Sequence, residues 1–189
     1  MSYLGTVAAA VSFFFVADLV YTLDHYLVHH DRERYRTGHF VHHRRYSVVK
    51  NAPQLDEYEL STYGSAGLLS TVGMATLSLL TGNWGFAIGA ALKFVHSLLF
   101  HLYQHYWWGQ VPVRKQGLPI PKRGWGLSTA HYHAHHHAHP EHEVFTFSES
   151  WQGFDRILEW AHPWLVKYTV DYQARAARMA AREAEKAAA

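Results

Sequence analysis

The chain of 189 residues contains no cysteine. Disulfides, thiolate zinc sites, iron–sulfur clusters and cysteine nucleophiles are therefore excluded, and cysteine usage gives no guide to compartment. An excess of charge is also missing: 17 Lys+Arg against 15 Asp+Glu leave a formal charge of +2. That balance is too weak for a protein that binds nucleic acid by neutralising phosphates. There is no Rossmann fingerprint, no haem-attachment motif and no tandem repeat of fixed period. The length fits one domain, without room for a second catalytic module. What is abundant is histidine, with 17 residues, as many as all lysines and arginines together. These histidines depress the mean hydropathy to −0.19. The average conceals long apolar runs.

Between Glu59 and Lys93 lie 33 residues without a formal charge. A membrane-spanning helix needs about 20. Thr81-Gly82-Asn83-Trp84-Gly85 interrupts the stretch with turn chemistry. The pattern predicts a transmembrane helical hairpin, Ser61 to Thr81 and back from Trp84 to about Tyr106. Lys93, His96, His101 and His105 on its second arm predict a helix that faces an interior, since ionisable groups at such depth need a partner or a metal. A third apolar run, Tyr3 to Ala17, continues past Asp18 through Leu19-Val20-Tyr21. No basic residue precedes it, so a retained helix is expected rather than a cleaved signal. Asp18 argues against a simple full crossing.

Basic residues set the orientation. Arg32, Arg34, Arg36, Arg44, Arg45 and Lys50 follow the first helix, and Arg114, Lys115, Lys122 and Arg123 follow the hairpin. The turn at Gly82-Asn83 has none. The positive-inside rule then puts the basic segments and the histidines beside them on the cytoplasmic side. Val111 to Trp125, with Pro112, Pro119 and Pro121, reads as a connecting loop. The expected fold is all-α: an integral membrane helical domain over residues 1–172, with a cytoplasmic histidine-rich cap. Residues 173–189 form an Ala/Arg-rich tail, a solvated helix or frayed end.

The histidines fall into four groups. His25, His29 and His30 close the first helix, and His39, His42 and His43 follow as H-x-x-H-H. His96, His101 and His105 lie on the second hairpin arm. His131, His133, His135, His136, His137, His139 and His142 crowd one short stretch. Residues four apart on a helix project from one face, so His25 with His29, and His101 with His105, can chelate one ion. The last cluster contains a second H-x-x-H-H at 133, 136 and 137; His131 with His135 and His136 is a rival register. Imidazole is a neutral ligand that suits iron, zinc, copper and nickel. Eight or more imidazoles fit two ions better than one, whereas a structural zinc site usually needs four ligands. The surplus leaves His139 and His142 divided between supporting and surface roles. The lone His162 is expected to be an ordinary surface or core residue.

In their order around a hairpin these motifs resemble the membrane-bound fatty acid hydroxylase/sterol desaturase superfamily, which includes the small carotenoid hydroxylases. His25 with His29 or His30 looks like the family's first element and His39/His42/His43 like its second. His101/His105 resembles the third, with His96/His101 as its carotenoid-hydroxylase-like version, and His133/His136/His137 looks like the last. Val144-Phe145-Thr146-Phe147-Ser148 through Gly153-Phe154-Asp155-Arg156-Ile157 is similar to the aromatic segment and F/W-D-R element that follow. Thr146 or Ser148 stands where the family's phenylalanine–glycine pair has glycine. The resemblance implies two non-haem iron ions held by histidines, with zinc as a possible substitute metal. It further implies O2 as co-substrate, and hydroxylation or desaturation of an unactivated C–H bond in a fatty acyl, sterol or carotenoid substrate. Electrons would come from a separate ferredoxin or cytochrome b5-type donor with its reductase; Arg44 and Arg45 are expected to face solvent or membrane lipid headgroups, with docking of an acidic carrier as the alternative. Two other readings compete: a membrane metal-handling protein or transporter, and a soluble histidine-rich zinc buffer.

Overall fold

The computed structural model describes residues 2–40, 42–43, 66–109, 124–129, 132–133, 136–137 and 147–188, with backbone alone at 34, 38, 66–69, 102–109, 170–172 and 187–188. Within them the chain is all-α. The helices are α1 (Tyr3–His29), α2 (Ala66–Thr81), α3 (Gly85–Gly109), α4 (Gly153–Leu165) and α5 (Val170–Ala188). Pairing of extended backbone among the described residues is limited to one isolated bridge, Leu127 with Trp151.

Helix α1 begins at Ser2, whose Oγ accepts from Gly5 N at 3.2 Å and satisfies one of the open amides of the first turn. It is the one described helix long and apolar enough to cross a membrane. Its inward stripe is nevertheless polar: Asp18, Thr22, Tyr26 and His29 are buried, at the i, i+4, i+8, i+11 spacing of one helix face. Val7, Val11, Val16 and Val20 face outward.

The expected hairpin turn is present between α2 and α3. Gly82 has φ +67, a conformation in which a Cβ is strained. Asn83 Oδ1 accepts from Gly85 N at 3.0 Å, and Ser78 Oγ accepts from Ala87 N at 3.1 Å, tying the two arms together. The apolar parts of the arms, Ser70–Thr81 and Gly85–His101, are shorter than the about 20 residues of a simple span. Residues 61–65, where the first arm was expected to start, lie outside the described residues, as does the loop 110–123.

Helices α1 and α3 pack side by side and run parallel, since Gly85 lies against Thr6, Gly89 against Ala10 and Lys93 against Asp18. A Cβ at Gly85 or Gly89 would overlap the carbonyl oxygen of Thr6 or Ala10, so glycine permits this close approach. Parallel packing brings the C-terminal halves of both helices, with their histidines, to the same end. There α4 closes the assembly: Phe154, Asp155 and Leu158 are buried, and Leu158 joins Tyr26 and Phe147 in a small core. The tail is helical and exposed, in agreement with the solvated-helix expectation.

Candidate metal centre

Helix α1 and two short segments, one with His39, His42 and His43 and one with His133, His136 and His137, build two adjoining groups of buried imidazoles. Group A contains His25, His29, His39, His43 and His136, with ligand atoms within 4.8 Å of one another. Group B contains His42, His133 and His137 at the same spacing. His101 borders group B: its Nε2 is 3.4 Å from His42 Nε2, and its ring centroid is 4.5 Å from that of His133.

The local geometry explains this division. After α1 the chain makes a short helical turn, Arg32–Arg34, and one π-helical turn, Tyr35–His39. That turn delivers His39 back towards His25, leaving their Nε2 atoms 2.9 Å apart. His39 and His43, four apart, share a face, and their Nε2 atoms are also 2.9 Å apart. His42, about 100° away around the helix, turns to the other group. The second H-x-x-H-H segment does the reverse. His133 and His137 meet in group B, Nε2 to Nε2 at 3.0 Å, while His136 joins group A. Each segment thus gives its i, i+4 pair to one group and its middle histidine to the other.

These distances test whether the residues fit a metal. His25 Nδ1 donates to the Phe147 carbonyl at 3.0 Å, which leaves a lone pair on Nε2. His39 Nε2 lies 2.9 Å from both His25 Nε2 and His43 Nε2. An imidazole nitrogen has a single in-plane position, holding either a proton or a lone pair. It can make both contacts as hydrogen bonds only by sharing one proton between them in a three-centre bond. Nitrogens bound at ~2.1 Å on adjacent octahedral vertices are ~3.0 Å apart, so a shared ion accounts for both. His136 points the same way: the residue is 1 % exposed, and neither ring nitrogen has a hydrogen-bond partner among the described residues. Burial, reinforced by neighbouring imidazoles, holds His39, His43, His133 and His136 well below the usual histidine range. They stay neutral, the form in which imidazole binds a metal. The two clusters can hold metal ions.

Two expected ligands belong elsewhere. His30 follows His29 by about 100° around the helix axis and packs on Tyr26 and His162, with ring centroids 4.5 and 5.5 Å away. His96 lies between Phe14 and Phe100, its Nδ1 3.3 Å from Ser150 Oγ. It is five residues from His101, which puts it on another face of α3. His105 lies on α3 with its side chain outside the described residues, and so do His131, His135, His139 and His142 altogether. Within the last cluster, His136 lies in group A and His133 and His137 in group B. His162 is a satisfied packing residue, its Nδ1 2.7 Å from Tyr26 Oη.

The supporting residues were harder to find in sequence. Asp155 accepts from Phe147 N at 2.7 Å, Ser148 N at 3.0 Å and Tyr132 Oη at 2.7 Å, and also from Ser148 Oγ. Burial pushes it up to about 6, against the pull of these hydrogen bonds. Asp155 fixes the Phe147 peptide whose carbonyl orients His25, and it holds Tyr132 beside His133. This gives the Phe154-Asp155-Arg156 element a task that no spacing rule had assigned. A second set, Asp18, Lys93 and Glu149, was visible only as isolated charges in or beside apolar runs. No family model, curated protein or solved structure matches the chain.

Proposed function

We propose that the chain is an O2-dependent, non-haem diiron hydroxylase or desaturase of the fatty acid hydroxylase/sterol desaturase kind, acting on a hydrophobic, lipid-like substrate. The observation that carries this reading is the convergence of two buried, neutral imidazole groups, with His39 Nε2 2.9 Å from two other ring nitrogens. His25, His29, His39, His43 and His136 would hold one iron, and His42, His133 and His137, with His101, the other. When bound, the pair of irons supplies activation of O2 and removal of hydrogen from an unactivated C–H bond. The protein's own contribution is orientation and dryness. The Phe147 carbonyl sets the His25 tautomer, and the buried Phe147 ring packs against His25, His29 and His136, with Tyr26 behind it, and keeps water from that side.

A multi-pass membrane setting completes the proposal. The outward faces of α1 and α3 are apolar, with Val11, Val20, Leu92, Val95 and Leu99 exposed. Between these helices runs a groove of about 580 Å³ walled by Val7, Val11, Phe14, Phe15, Ile88 and Leu92. An acyl or isoprenoid chain suits such walls. The basic residues after α1 would set the histidine end on the cytoplasmic side, within reach of a ferredoxin or cytochrome b5-type donor.

The test is elemental mass spectrometry on protein from iron-rich cultures, followed by turnover with donor, reductase and O2 on fatty acyl, sterol and carotenoid substrates. About two irons per chain and an oxidised product are expected. His39→Ala should abolish the product and reduce bound metal. Metal uptake into vesicles without substrate oxidation would overturn the proposal in favour of a metal transporter.

A further inference from the structure

Behind the two histidine groups stand different supports. In group A the outer nitrogen of His25 meets a neutral group, the Phe147 carbonyl. In group B the outer nitrogen of His101, Nδ1, lies 3.5 Å from Glu149 Oε1, a carboxylate. Both partners are buried, at 4 % and 6 % exposure.

Glu149 is itself held from behind. Its Oε2 is 3.3 Å from Lys93 Nζ, and Lys93 Nζ also donates to Asp18 Oδ1 at 2.6 Å and to Ser150 Oγ at 2.9 Å. Asp18 Oδ2 accepts in turn from Trp151 N at 3.2 Å. Four polar contacts therefore join α1, α3 and the segment 149–151 into one buried network ending at His101. One lysine faces two carboxylates there, and the His101 imidazole abuts the other oxygen of the Glu149 carboxylate. A carboxylate behind a ligating imidazole fixes the ring, keeps the proton on the outer nitrogen and raises the basicity of the inner one. A carbonyl performs the first two tasks without supplying a charge.

We propose that Glu149, braced by Lys93 and Asp18, is a positioning residue that secures His101 as a ligand of group B and makes the two metal positions inequivalent. It acts through His101, at the edge of group B. The network also explains why a lysine and an aspartate occupy apolar helices: they hold the carboxylate at the depth of the centre.

The proposal rests on both groups holding ions, and the experiment separates the two claims. Protein freed of metal is loaded with cobalt(II) alone, and the ions are then withdrawn with a competing chelator. Visible absorption and elemental analysis follow the withdrawal. Wild-type protein should bind two ions per chain (about two, as expected for a dinuclear centre). Glu149→Gln, which keeps size and removes charge, should lose affinity at one position by about 10–100-fold. The other position and the metal-free melting temperature should stay as in wild type. Glu149→Asp keeps the charge but withdraws it by one methylene. It should fall between the two, and it serves alone if the glutamine variant does not fold. Fewer than two ions in wild type would overturn the dinuclear reading itself. Two ions held by Glu149→Gln as tightly as by wild type would overturn only the role of Glu149. Equal weakening of both positions with a lowered metal-free melting temperature would reduce Glu149 to a structural residue, and overturn the proposal too.

Discussion

The two ends of the helical bundle invert the usual relation between burial and polarity. At the end formed by the first halves of α1 and α3, large apolar side chains face outward, among them Leu4, Val7, Val11 and Ile88, and the helices touch through Gly85 and Gly89. At the other end histidines, serines and carboxylates fill the interior, with Tyr26, Phe147 and Leu158 as a small hydrophobic core. Water supports the second arrangement only when something inside satisfies the polar groups. The first is stable where the surroundings are themselves apolar. The difference teaches that cohesion comes from close helix approach at one end and from buried polar contacts around a small apolar core at the other.

Acid should break this contrast most strongly, by attacking the histidine end. His39, His43, His133 and His136 have lowered folded-state values, so below pH about 6.5 the unfolded chain binds more protons than the folded one. Each then removes up to about 1.4 kcal/mol per pH unit. Asp155 works in the opposite sense: its raised value adds stability as pH falls through about 6. One carboxyl cannot offset four imidazoles. Metal-free protein should lose on the order of 3 kcal/mol within one unit below pH 6.5, measured by chemical unfolding at stepped pH. A flat profile would contradict the burial of neutral imidazoles.

A second break lies where the ends meet. Lys93→Met leaves Asp18 and Glu149 buried without their cation, and should cost about 3–5 kcal/mol in unfolding free energy. Adding Asp18→Asn should recover part of that loss. If the single variant unfolds like wild type, the ion pair adds nothing to the junction.

The smallest effect sharpens the boundary of the centre. His162→Ala removes one hydrogen bond to Tyr26, worth about 1 kcal/mol. Metal content should not change. Loss of an ion in this variant would extend the centre to the His30–His162 side of α1.

Much of the site was legible because helical spacing is local. His25/His29 and the two H-x-x-H-H segments announce shared faces, and Gly82-Asn83 announces the turn. What remained hidden depends on contacts between distant residues. Asp18 and Lys93 are 75 positions apart; Lys93 called for a buried partner and Asp18 argued against a simple crossing, but nothing local joined the two. Glu149 and Asp155 carry no spacing signature, since each acts on a neighbour that the fold brings to it. The π-helical turn before His39 was equally invisible, although it fixes that segment's approach to His25. For His30 and His96, the resemblance made each eligible, and the direction of the helix face sets them outside the two groups.

The adjacent pairs His42-His43 and His136-His137 each straddle the boundary between the two groups. Phase along the chain therefore matters more than identity between the histidines. Exposed Phe40 can vary widely, because its side chain serves neither group. Adding or deleting a single residue between His39 and His42 would turn His42 and His43 by about 100° relative to His39. Such a change would cross-wire the two positions at once. The segment should accept new letters but not a new length.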